Sequence, residues 1–145
     1  MANLNGSDIP YNEIPREIKD LFDKGMQAFA RNNYEYAIEL FSRALRLKFD
    51  FADARHYLRL SQQRFFKERP PKFLTKTVNK LKCLIYKLRA LIFRLRGDIK
   101  RSICEYEKLL YKEPFNEKVL LELAIIFRRE NQTDSALRTF EEVVQ

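Results

Sequence analysis

The sequence predicts an all-α fold built from antiparallel helix pairs, on the strength of its composition and of apolar residues that recur at helical spacing. Of the 145 residues, 46% are hydrophobic, but only 3 are Gly and 5 are Pro. Leu, Ala, Lys, Arg and Glu are abundant, and no segment of strand length alternates β-branched residues, which favours helices over strands. A chain of this length can form one domain with a substantial core.

Seven helices follow from the apolar periodicity, and the residues between them are typical of helix ends. Asn33 and Asp98 are suited to cap the helices that follow them, and Gly97 is suited to end the helix before it. Pro70 and Pro71 must interrupt a helix, because prolines lack the backbone donor and clash with the preceding turn. Short connections favour antiparallel packing of consecutive helices. The predicted helices are residues 15–31, 34–48, 52–67, 72–96, 99–112, 117–130 and 133–145.

A sequence repeat is visible when the chain is aligned with itself at an offset of 34. Small residues match small residues, and large apolar residues match large ones, at this offset. An offset of 65, which equals one repeat plus a shortened unit, leads back to Gly25, Ala37 and Phe41. The pairs matched at the first offset are Ala90 and Ala124, Phe93 and Phe127, Gly97 and Asn131, Ser102 and Ala136, Tyr106 and Phe140, and Leu109 and Val143.

This pattern resembles the tetratricopeptide repeat (TPR) family, whose helix pairs carry small and aromatic residues at such positions. The resemblance implies an α-solenoid in which stacked pairs bury a shared core and form a concave and a convex face. Ala28 and Phe49 depart from the family's aromatic and Pro positions. The expected organisation is an N-terminal extension at 1–14 and a helical domain at 15–145, with units of about 18–51, 52–82 (irregular), 83–116 and 117–145.

The resemblance implies a non-enzymatic interaction module or scaffold that holds a protein or peptide in its concave groove. Some relatives bind a peptide carboxylate there, but Phe22 and Met26 stand where cationic or amide side chains would be needed. An alternative is that the first groove residues are covered by the N-terminal segment that contains Ile9, Tyr11 and Ile14. The expected groove residues are Phe22, Met26, Phe29, Asp53, His56, Leu60 and Gln63.

The positive charge is concentrated in one segment. Residues 67–101 hold twelve Lys or Arg and two acids, a net charge of +10, whereas the rest of the chain has a net charge of −2. A local block of cations favours a local anionic partner or a solvated rim. The second functional hypothesis is therefore a peripheral adaptor that binds an anionic membrane surface, an acidic partner or nucleic acid through a basic stripe. That stripe consists of Lys72, Lys76, Lys80, Lys82, Lys87, Arg89, Arg94 and Arg96.

The long central helix that carries this stripe has two apolar faces. One is a seam with alternating spacings of four and three, and the opposite face holds Cys83, Tyr86, Ala90 and Phe93. A helix that lies on a membrane should be polar on its far side. We therefore expect a structural helix held by neighbours on both faces, with its cations at two edges. The seam consists of Leu74, Val78, Leu81, Ile85, Leu88, Ile92 and Leu95.

No pattern in the sequence predicts catalysis, a cofactor or a metal site. His56 is the one histidine, and no glycine-rich phosphate loop or metal-spaced cluster occurs. Cys83 and Cys104 are interpreted as reduced thiols, and most aromatic residues occupy core positions, which disfavours nucleic acid as a partner. Without a signal-peptide pattern or a long apolar run, the expected location is cytoplasmic, or peripheral to a membrane under the second hypothesis.

The C-terminal helix pair is a further candidate for self-association. Leu137, Val143 and Val144 have no later helix in the sequence to cover them. An uncovered apolar helix face favours docking to a second copy or to further sequence.

Overall fold

The computed structural model describes residues 11–144. This part of the chain forms seven α-helices and a short 3₁₀-helix at Tyr11–Glu13, with no strand. The predicted all-helical class and the number of helices are therefore confirmed. The helices are α1 (Arg16–Ala30), α2 (Tyr34–Leu47), α3 (Ala52–Glu68), α4 (Phe73–Leu95), α5 (Ile99–Lys112), α6 (Glu117–Arg129) and α7 (Thr133–Val144).

Side-chain caps fix the start of three helices. The carboxamide oxygen of Asn33 accepts a hydrogen bond from the Tyr36 backbone N–H at the start of α2. Asp98 caps α5 in the same way, and Asn116 caps α6. Each cap satisfies one of the backbone donors that a helix leaves unpaired in its first turn. The predicted caps at Asn33 and Asp98 are thus confirmed.

The same turn ends α1, α4 and α6. Asn32, Gly97 and Asn131 each adopt a positive φ, of 58°, 77° and 59°. In every case the next residue's N–H donates to the carbonyl five residues before it, at 2.9 Å. This is the 6→1 hydrogen bond of a Schellman motif, which requires a residue with left-handed backbone geometry at the end of the helix. Gly97 and Asn131 are one of the pairs matched by the sequence repeat, so the repeat corresponds to a repeated backbone turn.

Two hydrophobic cores lie under these helices. The first is formed by α1, α2 and α3, and Phe41 is fully buried in it. A Cβ atom on Gly25 would lie 2.6 Å from the Phe41 ring, so the absence of a side chain there lets α1 and α2 approach closely. The second core is formed by α4 to α7 and includes Ala90, Tyr106 and Phe127.

Helices α4 and α5 pack against each other in an antiparallel arrangement. Ser102 Oγ donates a hydrogen bond to the Ala90 carbonyl at 2.9 Å. At one end of the pair, Cys83 Sγ lies 4.0 Å from the Leu109 carbonyl oxygen. Cys83 and Ala90 are the buried residues of α4. Since α4 has 23 residues and α5 has 14, α4 is the longer by about 13 Å.

Candidate interaction surfaces

A buried polar interface joins α3 to α7. Two arginines of α3, Arg55 and Arg59, are each only 3% exposed. Arg59 donates to Thr139 at 2.8 Å, and it forms ion pairs with Glu107 at 3.0 Å and Glu142 at 3.3 Å. Buried guanidinium groups need such partners, because an unpaired buried charge is strongly unfavourable.

Helices α3 and α7 run parallel along this interface. Arg55 donates to Ser135 at 3.1 Å, and four residues further on in both helices Arg59 meets Thr139. Both guanidinium groups also lie near the Phe127 ring of α6, at 4.7 and 5.9 Å from its centroid. These contacts connect the first three helices to the last two, which are distant in the sequence.

The Glu142 carboxylate is held in its charged form by this interface. Burial alone would raise the pKa of Glu142, but the Arg59 charge, with hydrogen bonds from His56 and Arg59, lowers that pKa below its ordinary value of 4.5. The Glu142 carboxylate therefore contributes to the stability of the α3–α7 contact at neutral pH.

Two of the expected groove residues lie in the α3–α7 interface. Asp53 forms an ion pair with Arg138, and His56 Nδ1 lies 3.3 Å from Glu142 Oε1. These polar groups face α7 and are not available to a partner. Leu60 and Gln63, further along α3, are partly exposed. Of the second-unit groove residues, Asp53 and His56 thus contact α7, and the groove stays a prediction at Leu60 and Gln63.

The first-unit residues of the expected groove are also covered. Phe22 is buried, at 8% exposure, and its ring centroid lies 5.8 Å from that of Tyr11. Met26 and Phe29 pack against the same core, which includes Ile14. Phe22 is thus buried near Tyr11 in a core that includes Ile14, which favours the alternative of a covering N-terminal segment. The groove stays a prediction at Met26 and Phe29. Ile9 lies outside the described residues.

The largest exposed apolar surface belongs to α4, and we call it the α4 face. All seven seam residues are exposed, from 38% at Ile92 to 79% at Leu95. Ten large apolar side chains of this one helix are exposed, out of eighteen in the described part of the chain. The α4 face consists of Phe73, Leu74, Val78, Leu81, Leu84, Ile85, Leu88, Leu91, Ile92 and Leu95.

The prediction that neighbours hold α4 on both faces is wrong. The face with Cys83 and Ala90 packs on α5 and the second core, and Tyr86 joins that core as a partly buried residue. Within residues 11–144 nothing comparable covers the seam. Apolar periodicity identifies a face that avoids water, but it does not say whether the chain supplies the neighbour that covers it.

The basic stripe borders the α4 face on both sides. All eight of its cations are exposed. Among the described residues only Arg89 of the eight has an ion-pair partner, Glu105 at 3.4 Å. At 3.6 residues per turn, the two rows of cations lie about 100° to either side of the centre of the α4 face. One row is Lys82, Arg89 and Arg96, and the other is Lys80, Lys87 and Arg94.

A cleft between α2, α3 and α5 is a second candidate surface. It has a volume of about 520 Å³, and Leu45, Phe49 and Leu58 supply apolar walls. Gln62 lines it as well, and its buried side-chain oxygen has no hydrogen-bond partner within the described residues. Four cationic residues also line the cleft, Arg46, Arg55, Lys100 and Lys108, together with Glu107. Its apolar walls and unsatisfied amide could accommodate an extended peptide.

The other chemical features of residues 11–144 are few. No group of three His, Cys, Asp or Glu residues there could hold a metal ion. No helix in this part of the chain is both long enough and apolar enough to span a bilayer. Cys83 and Cys104 are free thiols, buried and exposed respectively, and burial raises the pKa of the Cys83 thiol to about 11. The C-terminal residues Leu137 and Val144 are exposed, and self-association through them stays a prediction.

Comparison with known proteins finds no match, either to a model of a protein family or to a curated protein sequence.

Proposed function

We propose that the chain is a non-enzymatic interaction module, a helical scaffold that docks to its partner through the α4 face. The observation that carries this proposal is the row of ten exposed large apolar side chains along one helix. Soluble monomers rarely leave an extended apolar surface uncovered unless it is used for binding. The helix is about 35 Å long, so the row offers an elongated contact surface.

The rest of the molecule acts as the support for this helix. The matching turns at Gly97 and Asn131, at equivalent positions of the sequence repeat, support a TPR-like stacking of helix pairs. The second core holds the opposite side of α4 through Cys83 and Ala90. A preformed, anchored helix loses little conformational entropy on docking, which favours binding.

The concave groove first expected from the TPR resemblance is a weaker candidate than the α4 face. Phe22 is buried in the first core, and Asp53 and His56 are engaged with α7. A partner at that groove would have to displace contacts that stabilise the fold. Docking on the α4 face displaces only water.

The test is fractionation of the source cell after replacement of the α4 face. We expect the unmodified protein to occur in a large or particulate fraction, and a Leu81→Gln/Leu88→Gln variant to shift to the free form. Both leucines are exposed, at 62% and 58%, so the variant should fold. Leu121→Gln/Ile125→Gln is a matched control, with two exposed apolar residues of α6. Identical fractionation of all three proteins would contradict the proposal.

A second candidate function is peptide binding in the cleft between α2, α3 and α5. The unsatisfied buried oxygen of Gln62 favours it, since a peptide N–H could donate to that atom. Replacement by Leu would remove this acceptor and should abolish retention of a peptide that occupies the cleft. Retention of partners unchanged by Gln62→Leu, in a folded protein, would exclude this cleft as the binding site.

A further inference from the structure

We propose that the surface onto which the α4 face docks is an anionic lipid bilayer. The inference rests on the proposed function and names the partner of the same site. It starts from the order of side chains around α4: an apolar arc, a row of cations on each side of it, and a far side that packs on α5. The first two zones match the two layers of a membrane interface, and the third attaches the helix to the domain.

The apolar arc matches the outer part of the hydrocarbon layer. Phe73, Leu74, Leu81 and Leu88 are between 58% and 80% exposed, so their side chains already project away from the domain. Helices that lie in a membrane interface bury such an apolar face at the boundary between headgroups and acyl chains. No rearrangement of α4 is needed for this contact.

The two rows of cations match the headgroup layer. Lys and Arg at the edges of an apolar face can lay their aliphatic stems along it while the charged ends stay in water. Both rows are placed for such an arrangement, because they flank the arc at similar angles. Residues 69–97 contain no acid, so every charged side chain of α4 is positive and is attracted to anionic lipid.

The apolar far side of α4 is compatible with membrane binding, because it packs on the rest of the domain. An isolated interfacial helix needs a polar far side because that side faces water. In this protein the far side contacts α5, and Ala90 there is fully buried. Cys83, Tyr86 and Ala90 thus anchor the helix to its domain, and the domain presents the opposite face outward.

Charge also distinguishes the bilayer from a second copy of the chain. Pairing two α4 faces would bring together the six cations of both rows from each copy, whereas an anionic bilayer neutralises them. The rest of the chain outside residues 67–101 has a net charge of −2. An anionic surface would therefore attract the α4 side and weakly repel the remainder, which orients the domain.

The experiment is cosedimentation of the full chain with vesicles, either of phosphatidylcholine alone or with about one third phosphatidylserine. We expect binding to the anionic vesicles to be at least tenfold tighter and to weaken strongly in 0.5 M salt, because salt screens exposed charges. Two variants separate the contributions. Lys76→Glu/Lys80→Glu/Lys82→Glu removes cations, and Leu81→Gln/Leu88→Gln removes apolar contact. Each should reduce binding at least tenfold, while Leu121→Gln/Ile125→Gln should bind within twofold of the unmodified protein.

Three outcomes would overturn the bilayer proposal. Absence of binding to anionic vesicles at low salt is the first. Binding that the lysine variant abolishes but the leucine variant leaves intact is the second, since it indicates a general polyanion contact such as RNA. The third is a concentration-dependent dimer in sedimentation that Leu81→Gln/Leu88→Gln abolishes, which indicates a second copy.

The cell fractionation distinguishes failure of the bilayer proposal from failure of the proposed docking function of the α4 face. The unmodified protein could fail to bind vesicles while Leu81→Gln/Leu88→Gln still changes its fraction in cells. That result would keep the docking role of α4 and exclude lipid as the partner. If Leu81→Gln/Leu88→Gln behaves like the unmodified protein in both the vesicle and the fractionation assays, both proposals are excluded. Circular dichroism should show equal helix content for all variants, so that a loss of binding reports the surface and not unfolding.

Discussion

Leu88 and Ala90 lie two residues apart on α4 and have opposite environments: the Leu88 side chain is 58% exposed, and Ala90 is fully buried. Two residues on an α-helix are separated by about 200°, so the pair marks the two sides of α4. The Ala90 side is in contact with α5, and the Leu88 side belongs to the α4 face.

Substitution at these two positions should have unequal effects on stability. Ala90→Leu should lower the free energy of unfolding by about 1–3 kcal/mol, because the added atoms overpack the contact with α5. Leu88→Gln should change it by less than about 0.5 kcal/mol, since it alters an exposed position. Chemical denaturation measures both. A large loss from Leu88→Gln would mean that the chain itself covers the α4 face.

The small residue at Ala124 should be equally sensitive. Ala124 is fully buried in α6, within the most closely matched repeat unit. Ala124→Leu should lower the free energy of unfolding by about 1–3 kcal/mol through overpacking. Its neighbour Ile125 is 40% exposed, so Ile125→Leu serves as the control and should have little effect. Thermal melts that do not differ between the two variants would refute the packing at Ala124.

Loss of Arg59 should destabilise the contact between α3 and α7. Arg59→Met removes the buried cation that pairs with both Glu107 and Glu142, and leaves Glu107 with Arg55 and Glu142 with His56. Breaking a buried ion pair typically costs about 3–5 kcal/mol. Arg64, on the same helix, is exposed, and Arg64→Met should be nearly neutral. Urea titration of the two variants gives the comparison. Equal midpoints would show that Arg59 is not buried between α3 and α7.

Acidification should weaken the same contact. The pKa of Glu142 is lowered in the folded protein from an ordinary value of 4.5. Its contribution to stability is therefore present above about pH 4.5 and is lost as pH falls through the lower folded-state value. The free energy of unfolding should drop between pH 6 and pH 3, and it should drop less in Glu142→Gln. Parallel pH profiles for the two proteins would argue against a charged, paired Glu142.

The helices could be predicted because their signals are local. Asn33 and Asp98 cap helices through atoms three residues away, and the turn at Gly97 requires only a residue that tolerates positive φ. The sequence repeat also identified Ala90 and Ala124 as buried positions. Such features depend on spacing along the chain, which can be read directly from the sequence.

The surfaces could not be predicted in the same way because they depend on distant contacts. Arg55 and Arg59 look like ordinary solvated charges in the sequence, but they pair with groups on α7, far along the chain. Their four-residue spacing, matched by Ser135 and Thr139, was a signal but a weak one. The exposure of Leu81 and Leu88 had no local signal, since an apolar seam is the same pattern whether or not a neighbour covers it.

Thiol labelling at Leu88 and Ala90 tests the orientation of α4 most directly. In a Cys83→Ala/Cys104→Ser background, Leu88→Cys and Ala90→Cys each place one thiol on α4, on opposite sides of the helix. We expect the Leu88→Cys thiol to react with a maleimide at nearly the rate of the unfolded chain, and the Ala90→Cys thiol to react at least tenfold more slowly. Equal rates, or a protected thiol in Leu88→Cys at micromolar protein concentration, would contradict the exposed α4 face on which the proposed function depends.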